Sequence, residues 1–213
     1  MKTIYCISGL GATAKAFSKL NIEGYRLQVI EWLKPLPNES IEAYAARMRS
    51  AIQEENPVLM GLSFGGMMCI EIAKQMPVEK VILVSSIKTK SELPLWMKAV
   101  AKTSLHKIMP MRTNSRITRP LQNFFLGTVT ADDREVAIQF RRNADPVYVR
   151  WAVDKVINWQ NNWQHPSTIH IHGNADKMFG IRNVQPTHII KNGGHFLIMN
   201  RADEVSALVR QAL

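Results

Sequence analysis

The sequence has few cysteines and no long apolar run. These two features argue against a disulfide-rich secreted protein and against a membrane-spanning protein. It contains 2 cysteines in 213 residues, too few for the disulfide framework of a small secreted protein. Both of them, Cys6 and Cys69, lie in apolar stretches where a thiol behaves as a small buried hydrophobe. Lys, Glu, Asn or Pro interrupts every apolar run before the roughly 20 residues needed to cross a bilayer. We therefore expect a soluble protein without a disulfide.

A convincing targeting signal is also lacking. The first twelve residues carry one lysine and a short apolar stretch, which superficially resembles a signal peptide. Cleavage near Ala12 or Ala14 would remove the first predicted strand and the loop that follows it. We therefore expect a cytoplasmic protein.

The chain contains no internal repeat, low-complexity tract or linker, so a single domain covering 1–213 is expected. Short β-rich runs alternate with helical patterns, which predicts a parallel sheet. Several runs are almost continuous in Val, Ile and Leu, so helices should cover both faces of the sheet. The fold class is then α/β, a three-layer α/β/α sandwich with a mostly or wholly parallel sheet. The predicted strands are 3–8, 25–30, 57–62, 80–85, 167–172 and 186–190.

Two helix predictions depend on local signals. Ser40 is a candidate N-cap for a helix that runs to about Glu55, because the residue before Pro57 avoids the helical region. A continuous helix over 151–163 would bring its three tryptophans close to one face, which is more typical of core packing than of a ligand cage. These tryptophans are Trp151, Trp159 and Trp163.

One serine lies in a motif that points to chemistry. It stands in Gly61-x-Ser63-x-Gly65, after an apolar run and ahead of a helical pattern. This is the pattern of a nucleophile elbow, a sharp strand-to-helix turn that holds a hydroxyl clear of its neighbours. The flanking glycines suit a strained turn that has no room for side chains. Ser63 is the candidate nucleophile, and because serine stands at this position a cysteine nucleophile is set aside.

A serine nucleophile needs a base that titrates near neutrality and a group that orients this base. His195, which follows two glycines, suits the first role, because a free histidine side chain has a pKa of about 6.5. Asp176 suits the second role, since it would accept a hydrogen bond from the other ring nitrogen. Two alternatives stay open: Asp176 could cap its own loop, and Asp145 could serve as the acid instead.

The chain order of these three residues, with the glycine loop after the first strand and the closing helix, resembles the α/β-hydrolase superfamily over nearly the whole chain. The resemblance implies a compact member of that fold that lacks the antiparallel N-terminal hairpin. It also implies an oxyanion hole made by the backbone N–H groups of Leu10 and Phe64. Many members have His-Gly where this chain has Ser8-Gly9, a departure that leaves both N–H donors available.

Residues 88–163 differ in character from the rest of the chain. They show no strand pattern, and prolines divide them into several helical stretches. In the family this is the place of a lid or cap insert. Residues 88–150 carry twelve Lys and Arg against five Asp and Glu, much of the formal charge of +10.

One helix of this insert, from about Leu95 to Met109, is expected to be amphipathic. A stripe of Lys98, Lys102 and His106 would face away from Trp96, Val100 and Ile108. The basic stripe could bind an anionic substrate, rest on anionic lipid, or form an ordinary solvated face. We do not favour the membrane contact. The candidate substrate-binding residues are Trp96, Lys98, Lys102 and Phe124.

Other ligand classes have weaker support. His170 and His172 point to one side of a strand, which is more typical of a packed, hydrogen-bonded pair than of a metal site. No third ligand follows at a suitable spacing, so we predict no metal. No recognition motif accompanies the basic charge, so we expect no nucleic acid. The family resemblance implies no cofactor and a small-molecule substrate.

The resemblance implies a serine hydrolase of the carboxylesterase or thioesterase type, which acts on a small ester or thioester through an acyl-enzyme intermediate. The same triad supports amidases, carbon-carbon hydrolases, lyases and cofactor-free haloperoxidases, and some members of the fold only bind ligands. These alternatives stay open. Dehalogenases and epoxide hydrolases of the fold carry Asp where this chain has Ser63, so they are disfavoured.

Overall fold

The computed structural model describes residues 1–103 and 118–213, which form six parallel strands in one sheet. Across the sheet the order is β2-β1-β3-β4-β5-β6. The chain therefore moves outward from β1 to β2, returns beside β1 as β3, and continues outward in the other direction. The strands are β1 (Lys2–Ile7), β2 (Tyr25–Val29), β3 (Val58–Leu62), β4 (Lys80–Val84), β5 (Thr168–Gly173) and β6 (His188–Ile190).

The helices of the described residues cover both faces of this sheet. Short 3₁₀ turns at Ala14–Phe17 and Lys90–Glu92 add to them. The α-helices are α1 (Ile41–Arg49), α2 (Phe64–Ala73), α3 (Leu95–Thr103), α4 (Arg119–Leu126), α5 (Ala131–Asn143), α6 (Pro146–Ile157), α7 (Leu197–Asn200) and α8 (Ala202–Ala212).

The side chains of each strand alternate between two apolar clusters, as the pleat of a strand requires. From β1, Tyr5 and Ile7 pack with α1, α2 and α6 on one face of the sheet. Ile4 and Cys6 pack with α7 and α8 on the other face. The predicted three-layer sandwich with a parallel sheet is therefore confirmed.

The six predicted strands are all present, with bounds that differ by one or two residues. The largest difference is at β6, which begins at His188 and not at residue 186. Pro186 cannot donate to the ladder, because its nitrogen carries no hydrogen. Thr187 then enters the sheet through its N–H bond to His170 C=O at 2.8 Å.

The predicted helix after Ser40 has the expected start and a different end. Ser40 Oγ accepts a hydrogen bond from Ala43 N–H at 3.1 Å, so the N-cap is confirmed. The predicted end near Glu55 was wrong, because the helix ends at Arg49. The hydroxyl and the N–H of Ser50 both bond back to Arg47 C=O, which tightens the last turn and ends the helix.

The expectation of one continuous helix over 151–163 was also wrong, because α6 ends at Ile157. Asn158 caps it by donating from its side chain to Asp154 C=O at 3.0 Å. Beyond the cap, Trp159 turns into the core and donates from Nε1 to Glu71 Oε1 at 2.7 Å. Trp163 is 39% exposed and lies outside the helix.

Residues 88–163, called the basic insert below, contain the helices α3 to α6 in their described part. The helix predicted from Leu95 to Met109 is present as α3 up to Thr103, and Val100 packs against the core. His106 and Ile108 lie outside the described residues. None of the helices in the described part of the chain is long and apolar enough to cross a bilayer.

The bond between Trp159 and Glu71 generates a stability prediction. Glu71 is 1% exposed, so Trp159→Phe removes a donor from a buried carboxylate and should lower the free energy of unfolding by about 1–3 kcal/mol. Urea unfolding measures this change. Trp163→Phe is the control at a partly exposed indole and should cost much less. Equal costs for the two substitutions would contradict this role of the Glu71 contact.

Candidate active site

The site lies where β1 and β3 meet, since the chain leaves these neighbouring strands in opposite directions. In parallel sheets such a reversal opens a crevice at the carboxyl ends of the strands. Ser63 follows the last residue of β3 and precedes the first residue of α2. Its backbone has φ +52° and ψ −119°, a conformation that non-glycine residues rarely adopt. Ser63 therefore occupies a sharp strand-to-helix turn, as the motif predicts.

The glycines around Ser63 are required by backbone contacts. A Cβ atom on Gly65 would collide with the carbonyl oxygens of Ile7 and Ser8. A Cβ atom on Gly61 would collide with the backbone of Gly65. The start of α2 can therefore pack directly on the end of β1 only because these side chains are absent.

Hydrogen bonds on both sides hold the turn. Ser63 N–H donates to Val84 C=O at 2.9 Å, which ties the turn to the end of β4. Ser63 C=O accepts from Ser86 Oγ at 2.6 Å and from Gly66 N–H at 2.9 Å. The Ser63 backbone is thus anchored at its nitrogen and its oxygen, and the side chain is left to face its neighbours.

The structure brings the three residues of the predicted triad together. His195 Nε2 lies 2.9 Å from Ser63 Oγ, and His195 Nδ1 lies 2.8 Å from Asp176 Oδ2. An ionised carboxylate only accepts hydrogen bonds, so Nδ1 of the neutral ring donates to Asp176. This leaves Nε2 free to accept the hydroxyl proton of Ser63. These contacts are the ones that a nucleophile, a base and a group that orients the base would require.

Glycines also join the loops that carry Asp176 and His195. A Cβ atom on Gly173, the last residue of β5, would collide with the backbone of Gly193. Ala175 N–H donates to Gly193 C=O at 2.9 Å. Because the two loops touch backbone to backbone, the separation of the acid and the base depends little on side-chain packing.

Asp176 is held as an ionised group. Oδ1 accepts from the N–H groups of Met178 and Phe179 at 2.8 and 2.9 Å. Burial alone would raise the pKa of Asp176, but its interactions with His195 and His172 and the hydrogen bond from Phe179 N–H outweigh this effect, so the pKa is lowered. The alternative acid, Asp145, instead caps α6 by accepting from Val147 N–H at 2.8 Å.

Two further histidines lie behind the acid. His172 Nε2 is 2.8 Å from Phe179 C=O and 3.4 Å from Asp176 Oδ2, so this nitrogen carries the hydrogen. His172 Nδ1 then accepts from His170 Nε2 at 3.2 Å. Burial lowers the pKa of His172, and burial together with His172 and Lys88 lowers that of His170 to about 3. Both rings are neutral at pH 7, which makes the contact with Asp176 a polar one and not an ion pair.

Two backbone segments flank the nucleophile where an oxyanion would form. A Cβ atom on Gly9 would lie 3.5 Å from Ser63 Cβ, so the loop after β1 runs beside the nucleophile. Phe64 is the first residue of α2, and N–H groups of a first helical turn have no partner within the helix. Within residues 1–103 and 118–213, neither Leu10 N–H nor Phe64 N–H is engaged in a hydrogen bond.

The residues predicted to bind substrate are placed unequally. Phe124 lies beside the loop of the acid, with Lys177 Nζ 4.1 Å above its ring. Trp96 packs on Phe125 at a centroid distance of 5.7 Å and is 47% exposed. Lys98 donates to Ser91 C=O at 3.0 Å, and Lys102 is exposed on the same helix. No described contact joins either of these lysines to the triad.

Part of the basic insert reaches the site loops. A Cβ atom on Gly127 would lie 3.1 Å from Gly194 Cα and 3.3 Å from His195 N. On another side, a Cβ atom on Gly11 would lie 3.2 Å from Ala144 Cβ. The described insert thus packs against the base loop and against the loop after β1.

A surface groove of about 930 Å³ lies between the loop after β2 and α6. None of the triad residues lines it. Its walls include Leu33, Pro35, Arg47, Val147, Arg150 and Trp151.

Comparison with solved structures places this geometry in a known fold. The structure of MenH from S. aureus matches with a TM-score of 0.73 and 16% sequence identity, over 100% of this chain and 93% of that one. The lip1 protein of Acinetobacter baumannii AYE matches with a TM-score of 0.73 and 16% identity, over 99% and 84%. A lipase-esterase related protein from Clostridium acetobutylicum ATCC 824 matches with a TM-score of 0.71 and 16% identity, over 100% and 94%. The chain has the α/β-hydrolase fold.

At these identities the likeness shows the α/β-hydrolase fold and not the reaction. The matched structures include a bromoperoxidase and an epoxide hydrolase, so proteins with different chemistry share this architecture. No family model matches the chain, and no curated protein matches it in sequence. The reaction must therefore be argued from the site itself.

Sequence reasoning missed two features of this α/β-hydrolase site. His172 was interpreted only as one of a packed histidine pair, whereas it also contacts the carboxylate of Asp176. Trp32, in the loop after β2, was not singled out although it contacts both Ser8 and Phe64. The position of Trp32 directly after a predicted parallel strand could have pointed to the site, because the loops after parallel strands converge at the carboxyl edge of the sheet. Within the described residues, no cluster of three His, Cys, Asp or Glu side chains could hold a metal.

The pKa of His170 generates a prediction about acid stability. The unfolded chain binds a proton on this ring below about pH 6.5, while the folded protein does not until about pH 3. Folded protein therefore binds fewer protons in this window, and its stability falls as the pH is lowered. Each such site contributes a slope of about 1.4 kcal/mol per pH unit. Urea unfolding between pH 6 and pH 4 gives the slope of the free energy of unfolding against pH. In His170→Gln this slope should be smaller than in the wild type by about this amount. An unchanged slope would mean that the ring is protonated in the folded protein.

Proposed function

We propose that the protein is a serine hydrolase that cleaves a small ester or thioester through an acyl-enzyme intermediate. The observation that carries the proposal is the unbroken pair of hydrogen bonds from Ser63 Oγ to His195 Nε2 and from His195 Nδ1 to Asp176 Oδ2. A serine hydroxyl is a weak nucleophile, and this pair supplies the base and the group that orients it.

In the first step Ser63 Oγ attacks the carbonyl carbon while His195 Nε2 takes the hydroxyl proton. Asp176 keeps its negative charge and stabilises the imidazolium that forms. The backbone N–H groups of Phe64 and Leu10 stabilise the oxyanion, and each donor of this kind contributes about 2.7–4 kcal/mol. The imidazolium then protonates the leaving alcohol or thiol, which departs from the acyl-enzyme.

In the second step water replaces the leaving group as the partner of His195. The ring takes a proton from the water, whose oxygen attacks the acyl carbon of the ester on Ser63. The tetrahedral intermediate collapses to a carboxylic acid, and the proton on His195 returns to Ser63 Oγ. Only side chains, backbone N–H groups and water take part in these steps.

We further propose that residues 88–163 act as a lid whose described helices bound the substrate site. Support comes from the contacts of Gly127 with Gly194 and of Ala144 with Gly11. The aromatic side chains of Phe124 and Trp96 are candidates for the acyl-binding wall, since Phe124 borders the acid loop through Lys177. An anionic substrate, one of the three alternatives for the basic stripe, has no such support, because Lys98 and Lys102 have no described contact with the site.

The rival proposals share the triad and differ in the bond that breaks. An amidase, a carbon-carbon hydrolase, a lyase or a haloperoxidase would need the same three residues, and a ligand-binding receptor could retain them. A dehalogenase or an epoxide hydrolase of this fold is disfavoured, because such enzymes carry Asp at the nucleophile elbow, where this chain has Ser63. The ester and thioester class is preferred because an alcohol or thiol is a better leaving group than an amine or a carbanion, so it demands the least of the described groups.

The first test measures hydrolysis of p-nitrophenyl esters and acyl-CoA thioesters of increasing acyl length. We expect turnover by the wild type, loss of turnover in Ser63→Ala, and no change in Ser50→Ala, a control at an exposed serine that caps α1. A fluorophosphonate should label the wild type and Ser50→Ala but not Ser63→Ala. A folded wild-type protein that neither turns over nor becomes labelled would refute the proposed function and favour a receptor.

A further inference from the structure

A tryptophan outside the triad contacts both segments that supply the proposed oxyanion donors. Trp32 lies in the loop after β2, and its Nε1–H donates to Ser8 Oγ at 2.9 Å. Ser8 is 2% exposed and stands directly after β1. Its hydroxyl donates to Ala12 C=O at 2.8 Å. The indole is thus linked through one hydroxyl to both ends of the loop over 8–12.

The direction of these hydrogen bonds is fixed by chemistry. An indole N–H can only donate, and a carbonyl can only accept. Ser8 Oγ must therefore accept from Trp32 and donate to Ala12. Loss of the indole N–H would leave a buried hydroxyl oxygen without a donor and would free the hydroxyl to rotate.

The loop that this hydroxyl closes is a tight turn. Ala12 N–H donates to Gly9 C=O at 2.9 Å, and Gly11 has φ +73°, as the third residue of a type II turn requires. Such a turn uses the N–H of its fourth residue and leaves the N–H of its second residue, Leu10, without a partner in the turn. Leu10 N–H is the donor proposed for one half of the oxyanion hole.

The same indole also contacts the other half of the oxyanion hole. Its ring stacks on Phe64 at a centroid distance of 5.3 Å and an interplanar angle of 12°. Tyr148 lies against the indole at 5.1 Å and Tyr44 at 6.2 Å. The indole is therefore held by aromatic neighbours while it touches the residue that follows the nucleophile.

We propose that Trp32, acting through Ser8, is a positioning residue that sets the separation of the two oxyanion donors, Leu10 N–H and Phe64 N–H. The inference rests on the proposed function and adds to it.

The test uses the ratio of turnover for an oxo ester to that for its thiono analogue. Sulfur accepts hydrogen bonds more weakly than oxygen, so the oxo substrate gains more from an aligned oxyanion hole. Trp32→Phe keeps the stacked ring and removes the N–H, and Ser8→Ala removes the linking hydroxyl. Trp151→Phe is the matched control, because this indole belongs to the same aromatic cluster but donates to Glu39 C=O at 2.9 Å.

For Trp32→Phe and Ser8→Ala we expect kcat on the oxo ester to fall about tenfold to a hundredfold, less than the loss of a whole donor. KM and the turnover of the thiono ester should change little, so the oxo-to-thiono ratio falls. The double variant should match the single variants, because both break the same link. Trp151→Phe should keep the wild-type ratio.

Two results separate the inference from the proposed function. A wild type that hydrolyses the oxo ester through Ser63, with a ratio that stays constant in Trp32→Phe and Ser8→Ala, overturns the inference alone. A wild type with no turnover dependent on Ser63 overturns the proposed function. Equal losses of rate on the oxo ester and on the thiono ester also count against a positioning role. Urea unfolding of each variant checks that it is folded.

Discussion

The backbone of Ser63 is the constraint on which the site depends. At φ +52° and ψ −119° the residue is held in a sparsely populated region, which costs about 1–3 kcal/mol for a residue other than glycine. Its N–H donates to Val84 C=O and its C=O accepts from Ser86 Oγ and Gly66 N–H, and these bonds offset the cost and keep the turn in place. A relaxed backbone at this position would move the hydroxyl away from His195. The strain is therefore part of how the Ser63 hydroxyl is presented to His195.

Close backbone contacts transmit this constraint to the rest of the site. The start of α2 packs on the end of β1 through Gly65, and the loop of the acid packs on the loop of the base through Gly173 and Gly193. Because side chains are absent at these contacts, the four loops approach at fixed distances. Hydrogen bonds from Met178 and Phe179 N–H then orient the carboxylate of Asp176, and the contact with His195 is the main cause that lowers its pKa. The triad geometry follows from a parallel sheet whose loops converge at one edge.

Much of this architecture could be predicted from local patterns. Several strands, such as β3 and β4, are nearly continuous apolar runs, and this pattern is a property of the sequence alone. The elbow, Asp176 and His195 were predicted from a motif and from chain order. Helix ends were predicted less well, since α6 ends where Trp159 turns toward the buried carboxylate of Glu71, a contact between residues far apart in the chain. Trp32 was missed for the same reason, because its partners Ser8 and Phe64 are distant in sequence and belong to no common motif.

The central claim is that Ser63 becomes acylated, and mass spectrometry tests it most directly. The protein would be mixed with p-nitrophenyl acetate, quenched in acid during turnover, digested and sequenced by fragmentation. The account predicts an acetyl group on the peptide that contains Ser63, at the oxygen that lies 2.9 Å from His195 Nε2, and no such peptide from Ser63→Ala. An acetyl group on another residue that is lost as product forms, or turnover by Ser63→Ala at the wild-type rate, would contradict it.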